Sequence, residues 1–259
     1  MKIWITGASS GIGEALAKAF AREGAHLILS ARNKNELERV KKNCTGASQV
    51  DIIPLDLNNH AEIFSTVAEA MKIYKTIDVL VNNAGLSQRS LAVETGFDVD
   101  KKLIDVNLLG TIAMTKAILP SMLAQKNGNI IVISSIMGKF GAPLRSSYAA
   151  AKHGLHGFFD TLRAETYSQG IKVLMVCPGF VRTNISMNAL TADGKNQGTM
   201  DEATGKGLDP NVVAQKIIAA MKSGREEIIL AGPRENFAVL VKRFFPKILS
   251  RIVRGAKTT

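Results

Sequence analysis

Short apolar runs alternate along this chain with longer segments in which apolar positions recur at helical spacing. The runs at 2–6, 26–30, 49–55, 77–81, 129–133, 171–176 and 227–231 predict seven strands. Most are continuously apolar rather than alternating, the pattern of strands covered on both faces in a parallel sheet. Helices are predicted over 14–23, 35–42, from 61 onward, and over 101–125, 146–168 and 209–221. Strand–helix alternation of this kind predicts a single α/β domain, a doubly wound parallel sheet of about seven strands with helices on both faces. The domain is expected over 1–235, with 236–259 as an extension of it.

In such sheets ligands sit beyond the carboxyl ends of the strands, and that is where the chemistry-bearing residues fall. Thr6-Gly7-Ala8-Ser9-Ser10-Gly11-Ile12-Gly13 follows the first strand and opens a helix. Glycines allow a tight turn and close approach to a pyrophosphate, and the helix N-terminus offers free N–H groups to it. At the end of the second strand a carboxylate would bind a free ribose 2′-hydroxyl, whereas an arginine accommodates a 2′-phosphate. Arg32 stands there with no acid beside it, and Ser9 or Ser10 adds a hydroxyl, so NADP(H) is expected over NAD(H). Asp56, followed by Leu57, could accept from an adenine amine or simply cap the next helix. Asn82-Asn83-Ala84-Gly85 ends the fourth strand, where small residues let the strand end lie against a cofactor.

Tyr148 and Lys152 lie four residues apart, hence on one face of a helix, a turn apart. A phenol of pKa ~10 is a poor acid or base at neutral pH, and a nearby ammonium lowers it. A drop of ~3 units would represent roughly 4 kcal/mol of differential interaction. Ser135, thirteen residues before Tyr148, is placed to hydrogen-bond a substrate oxygen. Asn107 is a polar residue inside a long apolar helix, where a buried amide needs partners. It is expected either to hold a water beside Lys152 or to face solvent. The segment Pro178-Gly179-Phe180-Val181-Arg182-Thr183 ends the sixth strand. The polar stretch 184–208 is too long for a simple connection and is expected to be a lid over the substrate, facing a wall near Leu86, Gln88, Ile136, Met137 and Leu144.

Composition narrows the picture. The 259 residues carry a net charge of +11 and contain two cysteines, Cys44 and Cys177, far apart. That usage suits a reducing compartment, and with four histidines in no ligand pattern no metal is expected. The basic balance suggests nucleic acid only until it is located. Lys242, Arg243, Lys247, Arg251, Arg254 and Lys257 supply six of the eleven excess charges from the last 24 residues, which contain no acid. Those charges are interleaved with Phe237, Leu240, Val241, Phe244, Phe245, Ile248, Leu249, Ile252 and Val253, and interrupted by Pro246. Two short helices or a kink are expected, in a basic amphipathic extension that either meets an anionic membrane or packs on the protein. No leader is read at the start of the chain, so a cytoplasmic protein is expected, peripheral at the inner face of a membrane if 236–255 meets one.

Taken together, T-G-A-S-S-G-I-G at 6–13, N-N-A-G at 82–85, Asn107, Ser135, Tyr148 with Lys152, and P-G-F-V-R-T at 178–183 resemble the classical short-chain dehydrogenase/reductase family over residues 2–232. Within it, the residues around Ser135 and Tyr148 look most like the branch near 11β-hydroxysteroid dehydrogenases and dehydrogenase/reductase 7. The resemblance implies a Rossmann-type fold and a tetrad of Asn107, Ser135, Tyr148 and Lys152. It casts Tyr148 as proton donor or base, Ser135 as the group that holds the oxygen, Lys152 as its electrostatic partner and ribose ligand, and Asn107 as the residue that positions a relay water. It adds Gly7, Ser9, Ser10, Gly11, Ile12, Gly13, Arg32, Asp56, Leu57, Asn83, Ala84, Gly85, Pro178, Gly179, Val181 and Thr183 as cofactor contacts. The expected reaction interconverts a carbonyl and a secondary alcohol on a small molecule, a lipophilic one if the tail meets a membrane, in a homodimer or homotetramer. The competing expectations are a 3-oxoacyl thioester reductase and a non-catalytic NADP-binding protein; nucleic-acid binding ranks last.

Overall fold

The computed structural model describes residues 1–255, so the expectation for Lys257 lies outside the described residues. Seven strands form one parallel sheet: β1 (Lys2–Thr6), β2 (His26–Ser30), β3 (Gln49–Ile52), β4 (Val79–Asn82), β5 (Gly128–Ile133), β6 (Ile171–Pro178) and β7 (Glu227–Leu230). Their order is β3-β2-β1-β4-β5-β6-β7. The winding direction reverses between β1 and β4, which pair through Ile3–Val79, Trp4–Leu80 and Ile5–Val81. That reversal opens a crevice at the carboxyl ends of the two strands, the usual ligand position in this topology.

Alternate residues of each buried strand feed two cores. Ile3, Ile5, Leu27 and Leu29 pack under α1 (Gly11–Arg22), while Trp4, Ile28 and Leu80 pack on the opposite face. The remaining helices are α2 (Lys34–Lys42), α3 (His60–Tyr74), α4 (Phe97–Ile104), α5 (Gly110–Gln125), α6 (Ser146–Thr166), α7 (Glu202–Gly205), α8 (Pro210–Lys222), α9 (Pro233–Phe244) and α10 (Pro246–Arg254). Helices α4 and α5 are one rod, joined by a π-helical turn at Asp105–Leu109. The rod starts four residues before the expected 101, at Phe97 on the Gly96 cap. Phe97–Gln125 is long and apolar enough to cross a bilayer by composition, yet half of its apolar stretch is buried in the protein.

The tail breaks at Pro246 as its sequence suggests, giving α9 and α10. Val241 and Leu249 are buried against Ile136 and Phe140, so one stripe of the extension packs on the segment that follows β5. Phe237, Leu240, Phe244, Phe245, Ile248 and Ile252 remain exposed on its outer side.

Candidate active site

The nucleotide end of the crevice is built by the turn after β1. Gly7 has φ +64°, and a Cβ there would sit 2.7 Å from the Ala84 Cα. A Cβ on Gly13 would lie 2.3 Å from the Gly7 carbonyl oxygen, so the first turn of α1 rests directly on the loop. The Thr6 hydroxyl donates to the Val81 carbonyl (3.2 Å) and accepts from the amides of Asn83 (3.1 Å) and Ala84 (3.2 Å). The Asn83 side-chain amide donates to the carbonyls of Thr6 and Gly7, both at 3.1 Å. These bonds tie the ends of β1 and β4 together beneath the α1 N-terminus. Ser10, the N-cap of α1, makes no side-chain cap bond. A glycine cradle facing an uncapped helix N-terminus fits a pyrophosphate, which takes its charge balance from the helix dipole and its bonds from free N–H groups.

Arg39 braces this turn, a role its sequence position does not advertise. It bonds Glu14 at 2.8 and 3.0 Å and the Ser9 carbonyl at 3.1 Å. The Arg39 guanidinium holds the Glu14 carboxyl below the usual carboxylate range, against the opposing effect of burial. Arg32 stays exposed at the end of β2.

A cavity of about 620 Å³ runs from Arg32 to Thr183 along the strand ends. It brings together Gly7, Ser9, Ser10, Gly11, Ile12, Arg32, Asp56, Leu57, Asn83, Ala84, Gly85, Asn107, Ser135, Tyr148, Lys152, Pro178, Gly179, Val181 and Thr183. Gly13 is the one expected site residue outside this lining; its part is the close packing already described. Asp56 also accepts from the Asn58 amide at 3.0 Å, while the α3 cap itself is Asn59, whose side chain accepts from the Glu62 amide. The cavity also takes Asn184, Ile185, Asn188 and Asn196 from the long loop, and Ser30, Ala31 and Asn33 beside Arg32.

At the other end, Ser135 leaves β5 in extended conformation and its Oγ accepts from the Met137 amide at 3.1 Å. Ser135 is also the hydrogen-bonding neighbour of the Tyr148 phenol. Lys152 is buried, with its ammonium 5.7 Å from the Tyr148 ring centroid and donating to the Ile133 carbonyl at 2.8 Å. Burial lowers the Lys152 pKa to about 8. Burial raises that of Tyr148, opposed by the Ser135 bond and by the charges of Arg145 and Arg89. The sequence points to Lys152 as the cation acting on the phenol. Here its ammonium lies over the ring and turns to a carbonyl, and the offsetting charges are two arginines.

Asn107 sits in the π-helical turn and is fully buried. Its Oδ1 accepts from the Leu86 amide (2.9 Å) and its Nδ2 donates to the Leu86 carbonyl (3.0 Å). The solvent-facing alternative is therefore excluded, and the amide clamps the chain just after β4. The carbonyl of Asn107 accepts the Thr111 hydroxyl at 3.0 Å.

The loop 184–208 is folded rather than open. Leu190 donates to the Ser87 carbonyl at 2.9 Å and accepts from the Arg89 amide at 2.8 Å, and α7 closes its far end. Of the expected substrate wall, Leu86 lines the cavity, whereas Ile136, Met137, Leu144 and Gln88 do not, and Gln88 is fully buried at the start of α6.

Among the described residues one cluster has metal-ligand residue types, His156, Cys177 and Glu227. The two ring nitrogens face different partners, Nε2 toward Ser134 (3.2 Å) and Cys177 (3.6 Å), Nδ1 toward Lys139 (3.4 Å). Lys139 already pairs with Glu227 at 2.5 Å, so a cation would meet an ammonium there.

A switch-point crevice with a phosphate-binding turn on one side and a serine, tyrosine and lysine on the other defines a nicotinamide-nucleotide oxidoreductase of the doubly wound class. Residues 1–194 match the short chain dehydrogenase family, and the chain belongs to that family, whose members act on CH–OH and C=O groups of small molecules. It is 39% identical over 256 residues, 96% of this chain and 79% of the relative, to dehydrogenase/reductase SDR family member 7B of Bos taurus. Its fold superposes with a TM-score of 0.76 and 27% identity on an alcohol dehydrogenase from Thermococcus sibiricus complexed with 5-hydroxy-NADP, covering 88% of this chain and 95% of that one. A short chain dehydrogenase/reductase from Burkholderia phymatum in complex with NAD gives 0.84 and 24%, covering 95% and 94%, a likeness of fold alone.

Proposed function

We propose that this chain is an NADP(H)-dependent oxidoreductase that interconverts a carbonyl and a secondary alcohol through Ser135, Tyr148, Lys152 and Asn107. The observation that carries the reading is the convergence of Ser135, Tyr148 and Lys152 on one wall of a cavity whose far end is Arg32. Gly7, Gly11, Ile12 and the α1 N-terminus would hold the pyrophosphate, Arg32 with Ser9 or Ser10 the 2′-phosphate, and Asn83 to Gly85 with Pro178 to Thr183 the nicotinamide side. When bound, the cofactor supplies or accepts the hydride. The protein's own work is at the oxygen. Ser135 Oγ holds and polarises it, and Tyr148 passes a proton from its phenol oxygen during reduction and takes one back during oxidation. Lys152 keeps positive charge by the ring, and Asn107 fixes the strand end that the substrate lies against.

The test is a fluorescence titration with NADPH and with NADH, then turnover on ketones, aldehydes, quinones and 3-oxoacyl thioesters. Tighter NADPH binding with turnover on any member is the expected result. Binding of neither nucleotide overturns the reading. Turnover confined to thioesters would make it the 3-oxoacyl thioester reductase, and binding with no loss of cellular effect in Tyr148→Phe would favour a non-catalytic role.

The outer face of α9 and α10 supports a second element of the proposal, peripheral contact with an anionic membrane. Six exposed large apolar side chains alternate there with Lys242, Arg243, Lys247, Arg251 and Arg254, the chemistry of an interfacial helix. Assembly into a dimer or tetramer is proposed through the outer faces of the α4–α5 rod and α6, where Leu109, Ala150 and Gly157 are exposed.

A further inference from the structure

Helix α6 starts without a local cap. Its N-cap residue is Arg145, which makes no side-chain cap bond. The cap comes instead from a distant chain segment. Gln88 Oε1 accepts from the amides of Ser147 (2.9 Å) and Tyr148 (3.2 Å). A helix N-terminus leaves such donors unpaired, and here a fully buried side chain satisfies them, one being the amide of the reacting tyrosine. The other end of the same amide group reaches the hydroxyls of Ser146 (3.1 Å) and Thr95 (3.2 Å).

Around Gln88 lie two arginines and one carboxylate, all buried. The Gln88 carbonyl accepts from Arg145 (2.9 Å) and Arg89 (2.6 Å). Arg89 Nε bonds Asp201 at 2.9 Å, with a second, shorter contact through its terminal nitrogen, and Arg145 approaches the same carboxylate at 3.7 Å. Asp201 belongs to the end of the 184–208 loop, and Gln197 from that loop also donates to it at 2.9 Å. Two guanidinium groups approach one carboxylate behind the tyrosine. Buried charge is costly unless paired.

We propose that Gln88, Arg89, Arg145 and Asp201 form a buried latch that positions Tyr148, so that closure of the 184–208 loop and placement of the tyrosine are one event. The proposal rests on Tyr148 being the reacting group. These are positioning residues: none of the four lines the cavity. The loop supplies the carboxylate, the carboxylate orients the arginines, and the arginines and Gln88 fix the first turn of α6. Among the described residues, the charged or titratable groups that face Tyr148 or its helical turn are Lys152 and His153 on α6, the latter bonding the Ala149 carbonyl at 2.9 Å, Arg145 before that helix, Arg89 after β4, Asp201 on the loop and Asp100 on α4, which takes the Ser147 hydroxyl.

The experiment uses the full chain labelled with 3-fluorotyrosine. There are three tyrosines, and Tyr148→Phe assigns the relevant fluorine resonance. Asp201→Asn keeps the shape and removes the charge. The expected result is a shifted Tyr148 resonance, Tyr74 and Tyr167 unmoved, and proteolysis within 184–208 faster by on the order of tenfold, because unpairing a buried ion pair strongly disfavours the closed form. In Arg145→Met the Tyr148 resonance should titrate at higher pH than in wild type, and Arg145→Lys should restore it. Faster loop cleavage with an unmoved Tyr148 resonance overturns the coupling. All three resonances moving together also overturns it, since that marks general loosening. The readout involves no turnover, so a failed substrate panel and a failed latch are separate results.

Discussion

At the residue scale the most exposed claim concerns Arg32. It stands two residues beyond β2 and lines the cavity. Arg32→Asp should reverse nucleotide preference from NADPH toward NADH, by about tenfold or more for each 1.4 kcal/mol of altered contact. Unchanged selectivity in the paired titrations removes the 2′-phosphate assignment. Lys152 makes a second prediction. Its folded pKa of about 8 lies below the ordinary 10.5, so the unfolded chain binds more protons between those values. Burying the charged amine therefore costs roughly 3 kcal/mol below pH 8, and that cost fades as pH rises toward the unfolded value. Lys152→Met should abolish turnover and yet unfold at higher urea than wild type at pH 7. The difference should shrink by pH 10, less whatever the lost bond to Ile133 is worth. Arg32 was legible in sequence because it follows the end of β2 by two positions, and Lys152 because it stands one helical turn from Tyr148. Gln88 was misread as substrate wall, since a glutamine among polar neighbours gives no sign that it faces a helix start sixty residues away.

At the scale of elements, periodicity identified all seven strands and the break at Pro246. It did not reveal the π-helical turn at Asp105–Leu109, which contains no proline or glycine to mark it. Nor did it show that 184–208 is tied down, since the ties are single polar contacts spanning up to 112 residues. The tail was read as amphipathic with two possible partners, and its two faces differ. Leu249 and Val241 bury inward, while Phe244, Ile248 and Ile252 stay out. Removing 236–259 should lower sedimentation with anionic vesicles, but it also uncovers Ile136 and Phe140. Replacing Phe244, Ile248 and Ile252 together by serine is the cleaner variant. It should cut vesicle binding while thermal unfolding stays within a few degrees, and equal sedimentation of variant and wild type discards the membrane contact.

At the scale of the molecule, the excess charge and the chemistry occupy different regions. Lys242, Arg243, Lys247, Arg251 and Arg254 lie on α9 and α10, whereas the cavity runs along the strand ends under α1 and α6. Vesicle binding should therefore weaken steeply with salt while nucleotide binding to the free protein changes far less at the buried end. The parallel sheet is what allows one edge to collect the glycine-rich turn, Arg32, Asn83, Ser135 and Thr183 from five separate strands.

The same strand order has a consequence during synthesis. Of these seven strands β1 is made first and ends in the middle of the sheet, with β2 on one side and β4 on the other. β2 follows within thirty residues, but Val79–Asn82 is needed before the second edge is covered. Until then Ile3, Trp4 and Ile5 form an open, apolar edge, the kind that pairs with another chain. A nascent chain halted before residue 79 would be a sticky two- or three-stranded fragment, and one released just past residue 82 would already have both edges of β1 covered.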